Sequence, residues 1–110
     1  MTSPILFNTS FHLHPSLADD FLEWVNGTYM PAAKASSLFE EGMVTRILAA
    51  GVQSENDGVS YCVQFVTRDL AKAMAWHDSE AYQLKEAFSR RCGKTNIVFF
   101  TTYMEILSRQ

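Results

Sequence analysis

The order in which alternating and helical patterns follow one another constrains this chain more than any other feature of its sequence. Two segments, 4–13 and 58–67, place apolar side chains at every second position, as a strand with one buried face does. Each is followed by a segment with apolar residues at helical spacing. Two further segments, 42–51 and 95–107, read as strands. The pattern predicts six elements in the order strand, helix, strand, strand, helix, strand.

The two predicted helices carry signals at their ends. The first is expected to begin after Ser16, a residue type that caps helices well, and to kink or restart at Pro31. The second is expected to begin after Thr67 or Asp69 and to continue to about Arg91. Each helix therefore connects two strands, as the proposed order requires.

Six elements in this order match the ferredoxin-like fold, an α+β arrangement in which a four-stranded antiparallel sheet carries both helices on one face. The 110 residues and the apolar fraction of 47% fit a single domain, 1–110, with its own core. The face without helices needs a partner, and two such sheets stacked face to face would form a homodimer, a dimeric α/β barrel. The residues expected on that outer face are semi-polar: Asn8, Ser10, His12, Cys62 and Gln64.

Charge and cysteine content exclude several classes of function. Nine basic residues against twelve acidic ones give a net charge of −3, which argues against a general nucleic-acid binder. No segment approaches the ~18 apolar residues of a membrane span, and the first residues lack the basic charge of a secretory signal. Cys62 and Cys92 have no CxxC spacing, so we expect reduced thiols in a cytoplasmic protein that does not associate with membranes.

Four residues are candidates for a ligand pocket between the helices and the sheet. At about 100° per residue, His77 falls at the centre of the apolar stripe of the second helix and should face the sheet. Trp24 lies on the inward stripe of the first helix, and Tyr29 comes just before Pro31. Tyr61 belongs to the apolar face of the third strand. These side chains could border one pocket, or His77 could be a core histidine that is hydrogen-bonded within the protein.

The stripe of the second helix makes a further prediction about its neighbours. It assigns Leu70 and Met74 to the buried side, together with His77. Trp76 falls roughly 100° away from that stripe, so we expect it at a flank or an interface.

No metal or cofactor is expected. His12 and His14 share a strand face and could chelate a metal, but no third ligand is evident. The five glycines form neither a GxGxxG pattern nor a phosphate loop, and no paired carboxylates or Ser-His-Asp order occur.

The segment 20–39, with Trp24 on the first helix, resembles a family of short bacterial proteins of unknown function. The segment 59–65 resembles the third strand of that family, and 88–93 with 100–105 resembles its closing segment. The resemblance therefore covers nearly the whole chain.

That family is similar to the dimeric α/β-barrel superfamily. Its relatives include cofactor-independent antibiotic-biosynthesis monooxygenases, small isomerases and haem-handling proteins, and they commonly have a pocket between the helices and the sheet of each subunit. Tyr29 stands where the family more often has histidine, and Thr101 where it often has a basic residue. The resemblance thus implies a fold and a pocket, but it transfers no catalytic role.

Three functions follow from these observations. The first is a small dimeric protein that binds an apolar or aromatic molecule in the helix–sheet pocket. The second is a non-catalytic dimeric module with a structural or regulatory role, and the third is an enzyme similar to the cofactor-independent monooxygenases or isomerases. A cavity above about 300 Å³ lined by Trp24, Tyr29 and His77 would favour binding, and a filled core would favour the module.

Overall fold

The computed structural model describes residues 3–48 and 58–109. The strands in this part of the chain are β1 (Ile5–Leu13), β2 (Phe39–Arg46), β3 (Val59–Thr67) and β4 (Ile97–Glu105). The α-helices are α1 (Ala18–Trp24), α2 (Met30–Ala35), α3 (Leu70–Trp76) and α4 (Tyr82–Cys92). Short 3-10 turns lie at Pro15–Leu17 and Lys94–Asn96. One π turn joins α1 to α2 and another joins α3 to α4, so the helices form two continuous segments.

The four strands form one antiparallel sheet in the order β2-β3-β1-β4. The central strands β1 and β3 bury the alternate residues of one face against both helical segments, as their period-two pattern predicts. The ferredoxin-like fold is therefore confirmed. The predicted second strand, 42–51, begins earlier than expected, at Phe39, and its positions 49–51 lie outside the described residues. No helix in the described part of the chain is long and apolar enough to cross a membrane.

The interruption predicted at Pro31 is a π turn, formed by Val25–Tyr29. The N–H of Met30 donates to the carbonyl oxygen of Val25, five residues earlier, which is the hydrogen bond of a π turn. Pro31 has no N–H to donate, and its ring would crowd the carbonyl four residues before it in a regular α-helix. The wider turn removes that conflict, so the helical segment continues through the proline.

The second π turn, His77–Ala81, changes which side of the helix is buried. A π turn accommodates one extra residue, so the residues on either side of it follow different stripes. Trp76 is only 6% exposed, whereas Leu70 and Met74 are 40% and 43% exposed. The prediction that Trp76 lies at a flank or interface was wrong, because it assumed one regular helical period across this turn.

Trp76 instead belongs to an aromatic core between the helical segments and the sheet. Its ring lies 5.4 Å from Phe39 and 6.3 Å from Phe65, centre to centre, and its indole N–H donates to Glu80. Phe39 and Phe65 are themselves stacked at 4.8 Å. On the side of the interface near β2 and β3, these rings are therefore in direct contact with one another.

The outer face of the sheet carries the predicted polar residues, and several of them contact one another. Asn8 Nδ2 donates to Ser10 Oγ at 3.3 Å, and Ser10 Oγ lies 3.7 Å from Cys62 Sγ. On β4 this face carries Val98 and Phe100, which are 59% and 64% exposed, next to the polar residue Thr102. The outer face therefore combines a hydrogen-bonded polar centre with an exposed apolar edge.

Candidate functional site

One side of the second helical segment faces β1 and β4. It carries three residues at intervals of four positions: His77, Ala81 and Lys85. At one end, the His77 ring lies 6.1 Å from the ring of Tyr103, centre to centre. At the other end, Lys85 Nζ lies 5.2 Å from the centre of the Phe99 ring. Tyr103 and Phe99 both belong to β4, so this side of the helical segment lies over that strand.

Lys85 is the most unusual member of this row because its side chain is almost completely buried, with 1% exposure. It forms no ion pair with any carboxylate in the described ranges. Burial lowers the pKa of its amine to about 8, and the charge of Asp78 opposes that shift. A buried ammonium without an anionic partner costs free energy, which the face of the Phe99 ring offsets only in part.

Two tyrosine hydroxyls near this row are also buried without a hydrogen-bond partner among the described residues, those of Tyr29 and Tyr103. Burial raises the pKa of Tyr29 far above its ordinary value, and the neighbouring Thr9 hydroxyl partly opposes this rise. Thr9 Oγ1 itself is hydrogen-bonded to Thr101 Oγ1 at 2.8 Å. Burial also raises the pKa of Tyr103.

His77 is half-buried at the edge of the site, and its imidazole is a third kind of polar group beside the amine and the hydroxyls. Burial lowers the pKa of its imidazole, as does the positive charge of Lys85, while the neighbouring Asp78 carboxylate raises it. The imidazole is therefore neutral at pH 7. His77 Nδ1 lies 3.2 Å from Asp78 Oδ1, and a neutral ring that donates this proton keeps Nε2 as an acceptor.

We call Tyr29, His77, Lys85 and Tyr103 the polar cluster. Electrostatic interactions connect its members: Lys85 acts on His77, and Tyr103 acts on Tyr29. The cluster thus combines one buried cation, two hydroxyl donors and one neutral imidazole. Such a set can bind an anionic or strongly polar group and can hold or move a proton.

The four predicted pocket residues lie at different depths. Trp24 and Tyr29 are stacked at 5.1 Å, and Tyr61 stacks on Phe21 at 4.8 Å within the core. No described contact joins His77 to any of the other three. None of the cavities reported below has more than one of the four in its lining, so a pocket shared by all four stays a prediction.

Sequence reasoning missed Lys85 and Tyr103 as members of the site. Lysine on a helix is usually solvated, so nothing in the residue type pointed to a buried amine. The available signal was spacing, because Lys85 follows His77 by eight positions and Ala81 by four. Tyr103 lay in a strand predicted to be apolar on both faces, which hid the importance of its hydroxyl.

Open volume is found elsewhere, along β2. Two cavities of about 630 and 530 Å³ share Asn26, Met30 and Gly42 in their lining, and we call them together the β2 groove. A Cβ atom on Gly42 would lie 2.7 Å from the Phe65 ring, so the absence of a side chain lets the ring pack against the strand here. A third cavity, of about 390 Å³, includes Trp24 in its lining. The buried polar groups and the open volume are thus in different halves of the helix–sheet interface.

The sheet order and the helix-covered polar cluster define a ferredoxin-like protein with polar groups inside its core. Residues 4–107 match the family described as domain of unknown function DUF4286. The chain therefore belongs to this family, which agrees with the resemblance to short proteins of unknown function. No curated protein sequence matches it.

Solved structures share this fold at low sequence identity. HapK from Hahella chejuensis is 16% identical, covering 97% of this chain and 95% of its own, with a TM-score of 0.65. A dimeric ferredoxin-like protein from an uncultured marine organism is 13% identical, covering 98% and 99%, with a TM-score of 0.64. A hydroxynitrile lyase from Passiflora edulis is 16% identical, covering 96% and 97%, with a TM-score of 0.61. At these identities the likeness concerns the fold alone.

Proposed function

We propose that this protein binds a small apolar or aromatic molecule between its helices and its sheet, at the polar cluster. Two observations carry the proposal. Lys85 is buried without an ion pair, and the hydroxyls of Tyr29 and Tyr103 are buried without a hydrogen-bond partner in the described part of the chain. Unsatisfied buried polar groups each cost roughly 1–3 kcal/mol, and folded cores contain few of them. A ligand that supplies the missing partners would offset that cost.

The four predicted pocket residues have different roles in this proposal. Tyr29 and His77 offer polar atoms to the ligand, whereas Trp24 holds the Tyr29 ring by stacking at 5.1 Å. Tyr61 supports the site indirectly, because it stacks on Phe21 within the core.

The non-catalytic module is favoured by one observation, since none of the three cavities described above is lined by more than one of Trp24, Tyr29 and His77. Binding is favoured by Lys85, because a protein that only associates gains nothing from a buried lysine without an ion pair.

An enzyme without a cofactor is the second candidate, and the titration of the cluster favours it. Burial lowers the pKa of the His77 imidazole and leaves it neutral, so it can accept a proton. Lys85, two helical turns away, has a pKa of about 8 and can donate one near neutral pH. A hydroxynitrile lyase is among the proteins with this fold. In this reading the polar cluster both binds the molecule and transfers a proton to or from it.

Fragment binding followed by NMR tests the binding proposal. A library of one- and two-ring fragments should perturb the backbone amides of Ala81, Lys85 and Thr101, which surround the polar cluster. Amides of Gly42 and Met43 report on the β2 groove and serve as an internal control. Perturbation confined to the β2 groove would contradict the proposed site, and a library without binders would favour the non-catalytic module.

We further propose that the chain forms a homodimer through the outer face of its sheet. Phe100 and Val98 are exposed there, and Asn8 Oδ1 is buried without a hydrogen-bond partner in the described residues. A protein of the same fold is a dimeric ferredoxin-like protein. An isologous contact between two such faces would cover the apolar edge and should bury more than about 1,000 Å².

Sedimentation tests the dimer with a matched pair of variants. The native protein should sediment at twice the chain mass of 12.4 kDa, and Phe100→Glu should reduce this to one chain. Tyr82→Glu places the same charge on an exposed aromatic residue of the helical face and should leave the mass unchanged. A native protein that sediments as a monomer at micromolar concentration would rule the dimer out.

We also infer a cytoplasmic location. Cys62 and Cys92 are both free thiols, and reducing compartments keep thiols in this state. Cell fractionation with an antibody against the protein tests this inference.

A further inference from the structure

We infer that the ligand of the polar cluster is an organic acid, an apolar or aromatic body with one carboxylate that pairs with Lys85. This inference rests on the proposed function, because it names the charge of the molecule bound at the same site. It follows from the groups that surround the lysine, from the hydrogen bonds that they leave open and from the rings beside them.

The acidic residues of the second helical segment are engaged elsewhere or exposed. Glu86 forms an ion pair with Lys94 at 2.9 Å, and Glu80 accepts the indole N–H of Trp76 at 3.0 Å. Asp78 is 75% exposed and lies against His77. The charge of Asp78 acts on Lys85, but no carboxylate of the described residues forms an ion pair with it, so we assign its counter-ion to a ligand.

A carboxylate satisfies the open hydrogen bonds better than a neutral group does. It offers two oxygens with about four acceptor positions, enough for the Lys85 ammonium and for a tyrosine hydroxyl at the same time. The hydroxyls of Tyr29 and Tyr103 are the available donors on the sheet side. A neutral carbonyl could accept one of these hydrogen bonds, but it would leave the buried ammonium without a counter-charge.

The surroundings of the cluster require an apolar body on the acid. The Phe7 ring lies 5.6 Å from His77 at one end, and the Phe99 ring lies 5.2 Å from Lys85 Nζ at the other. Two helical turns separate His77 from Lys85, which corresponds to about 12 Å along the helix. A two-ring acid spans most of this length and can contact these rings, whereas a bare inorganic anion contacts neither end.

Matched pairs of acids and amides test the inference at pH 7. The probes are one- and two-ring carboxylic acids, including 2-naphthoate, each paired with its primary amide, such as 2-naphthamide. Binding is followed by chemical-shift titration of the native protein and of Lys85→Met. Lys72→Met removes an exposed lysine of the same helical segment and serves as the control. Acetate supplies the charge without the apolar body.

We expect the native protein and Lys72→Met to bind the acids at least tenfold more tightly than the amides, and Lys85→Met to lose this preference. Acetate should bind at least tenfold more weakly than the aromatic acids. Amides that bind as tightly as acids, or a preference that survives in a folded Lys85→Met, would overturn the inference while leaving the proposed function intact. Binding of neither acids nor amides would overturn both.

Discussion

The two halves of the helix–sheet interface face the same helical segments, but they are filled by different chemistry. In the half formed by β2 and β3, rings are stacked at close range, with Phe39 and Phe65 4.8 Å apart. In the half formed by β1 and β4, Thr9 and Thr101 are hydrogen-bonded at 2.8 Å, and Lys85 lies above Phe99. One half is therefore a conventional apolar core, and the other holds polar groups that lack partners.

This difference separates the contacts that stabilise the fold from the groups available for function. Burial of large rings provides most of the favourable free energy of folding in a chain of this size. Buried polar groups without partners reduce that free energy, so they persist where they serve another role. Removing a ring from the apolar half should consequently lower the stability, whereas removing an unpartnered polar group from the other half should raise it.

The largest effect is expected in the apolar half, from Phe65→Ala. Phe65 is 3% exposed and lies in ring contact with Tyr29, Phe39 and Trp76. Removing its ring should lower the free energy of unfolding by about 3–5 kcal/mol, because a cavity adds to the lost apolar burial. Chemical denaturation measures this change.

Tyr82→Ala is the control for that measurement. Tyr82 is also aromatic, but it is 50% exposed on the helical surface and should cost within about 1 kcal/mol. A loss for Phe65→Ala as small as that for Tyr82→Ala would show that the stacked rings do not stabilise the fold.

The apolar half and the fold could be predicted from the sequence largely because strand patterns are simple. Alternation in 4–13 and 58–67 assigns each residue to one face without knowledge of its neighbours. Helices are harder, since one π turn changes every assignment beyond it. His77–Ala81 is such a turn, and it explains why Trp76 is buried against expectation.

The polar half was harder to predict because its chemistry depends on tertiary contacts. Tyr29 and His77 were identified from their positions, but whether their polar atoms have partners is decided by residues far away in the sequence. Lys85 illustrates the limit. Its residue type is typical of a solvated helix face, and its burial depends on where the second helical segment crosses β4.

The second prediction concerns the polar half and has the opposite sign. Lys85→Met replaces a buried, unpaired amine by an apolar side chain of similar length, so it should raise the free energy of unfolding at pH 7 by about 2–3 kcal/mol. Lys72→Met, on the exposed side of the same segment, should change it by less than about 0.5 kcal/mol. A destabilised Lys85→Met would mean that the amine has a partner in the folded protein.

The pH dependence of the difference in stability between the native protein and Lys85→Met tests whether the lowered pKa of Lys85 causes that difference. The pKa of its amine is lowered from 10.5 to about 8 in the folded protein, so the unfolded chain binds more protons between these values. Stability of the native protein relative to Lys85→Met is therefore lowest below pH 8 and rises as the pH increases towards 10.5. Between pH 7 and 10 the gain should be about 2 kcal/mol.

Other titrating groups around Lys85 do not disturb this measurement much. The raised pKa of Tyr29 lowers stability above pH 10 in both proteins, and so does that of Tyr103, so the comparison largely cancels their contributions. Burial lowers the pKa of His77 from its ordinary value, so the imidazole does not titrate in the window in which Lys85 loses its proton. A constant difference between native protein and Lys85→Met from pH 7 to 10 would contradict the lowered pKa.

The smallest expected effects compare two hydroxyls within the polar half. Thr9→Val removes a hydroxyl that is hydrogen-bonded to Thr101, so it should cost about 1–2 kcal/mol by leaving Thr101 unsatisfied. Tyr29→Phe removes a hydroxyl without a partner in the described residues and keeps the ring, so stability should stay the same or rise by up to about 1 kcal/mol. Thermal and chemical denaturation of both variants would measure the contrast. If Tyr29→Phe costs as much as Thr9→Val, the Tyr29 hydroxyl is already satisfied, by water or by a rearranged neighbour, and one of the groups left open for a ligand is lost.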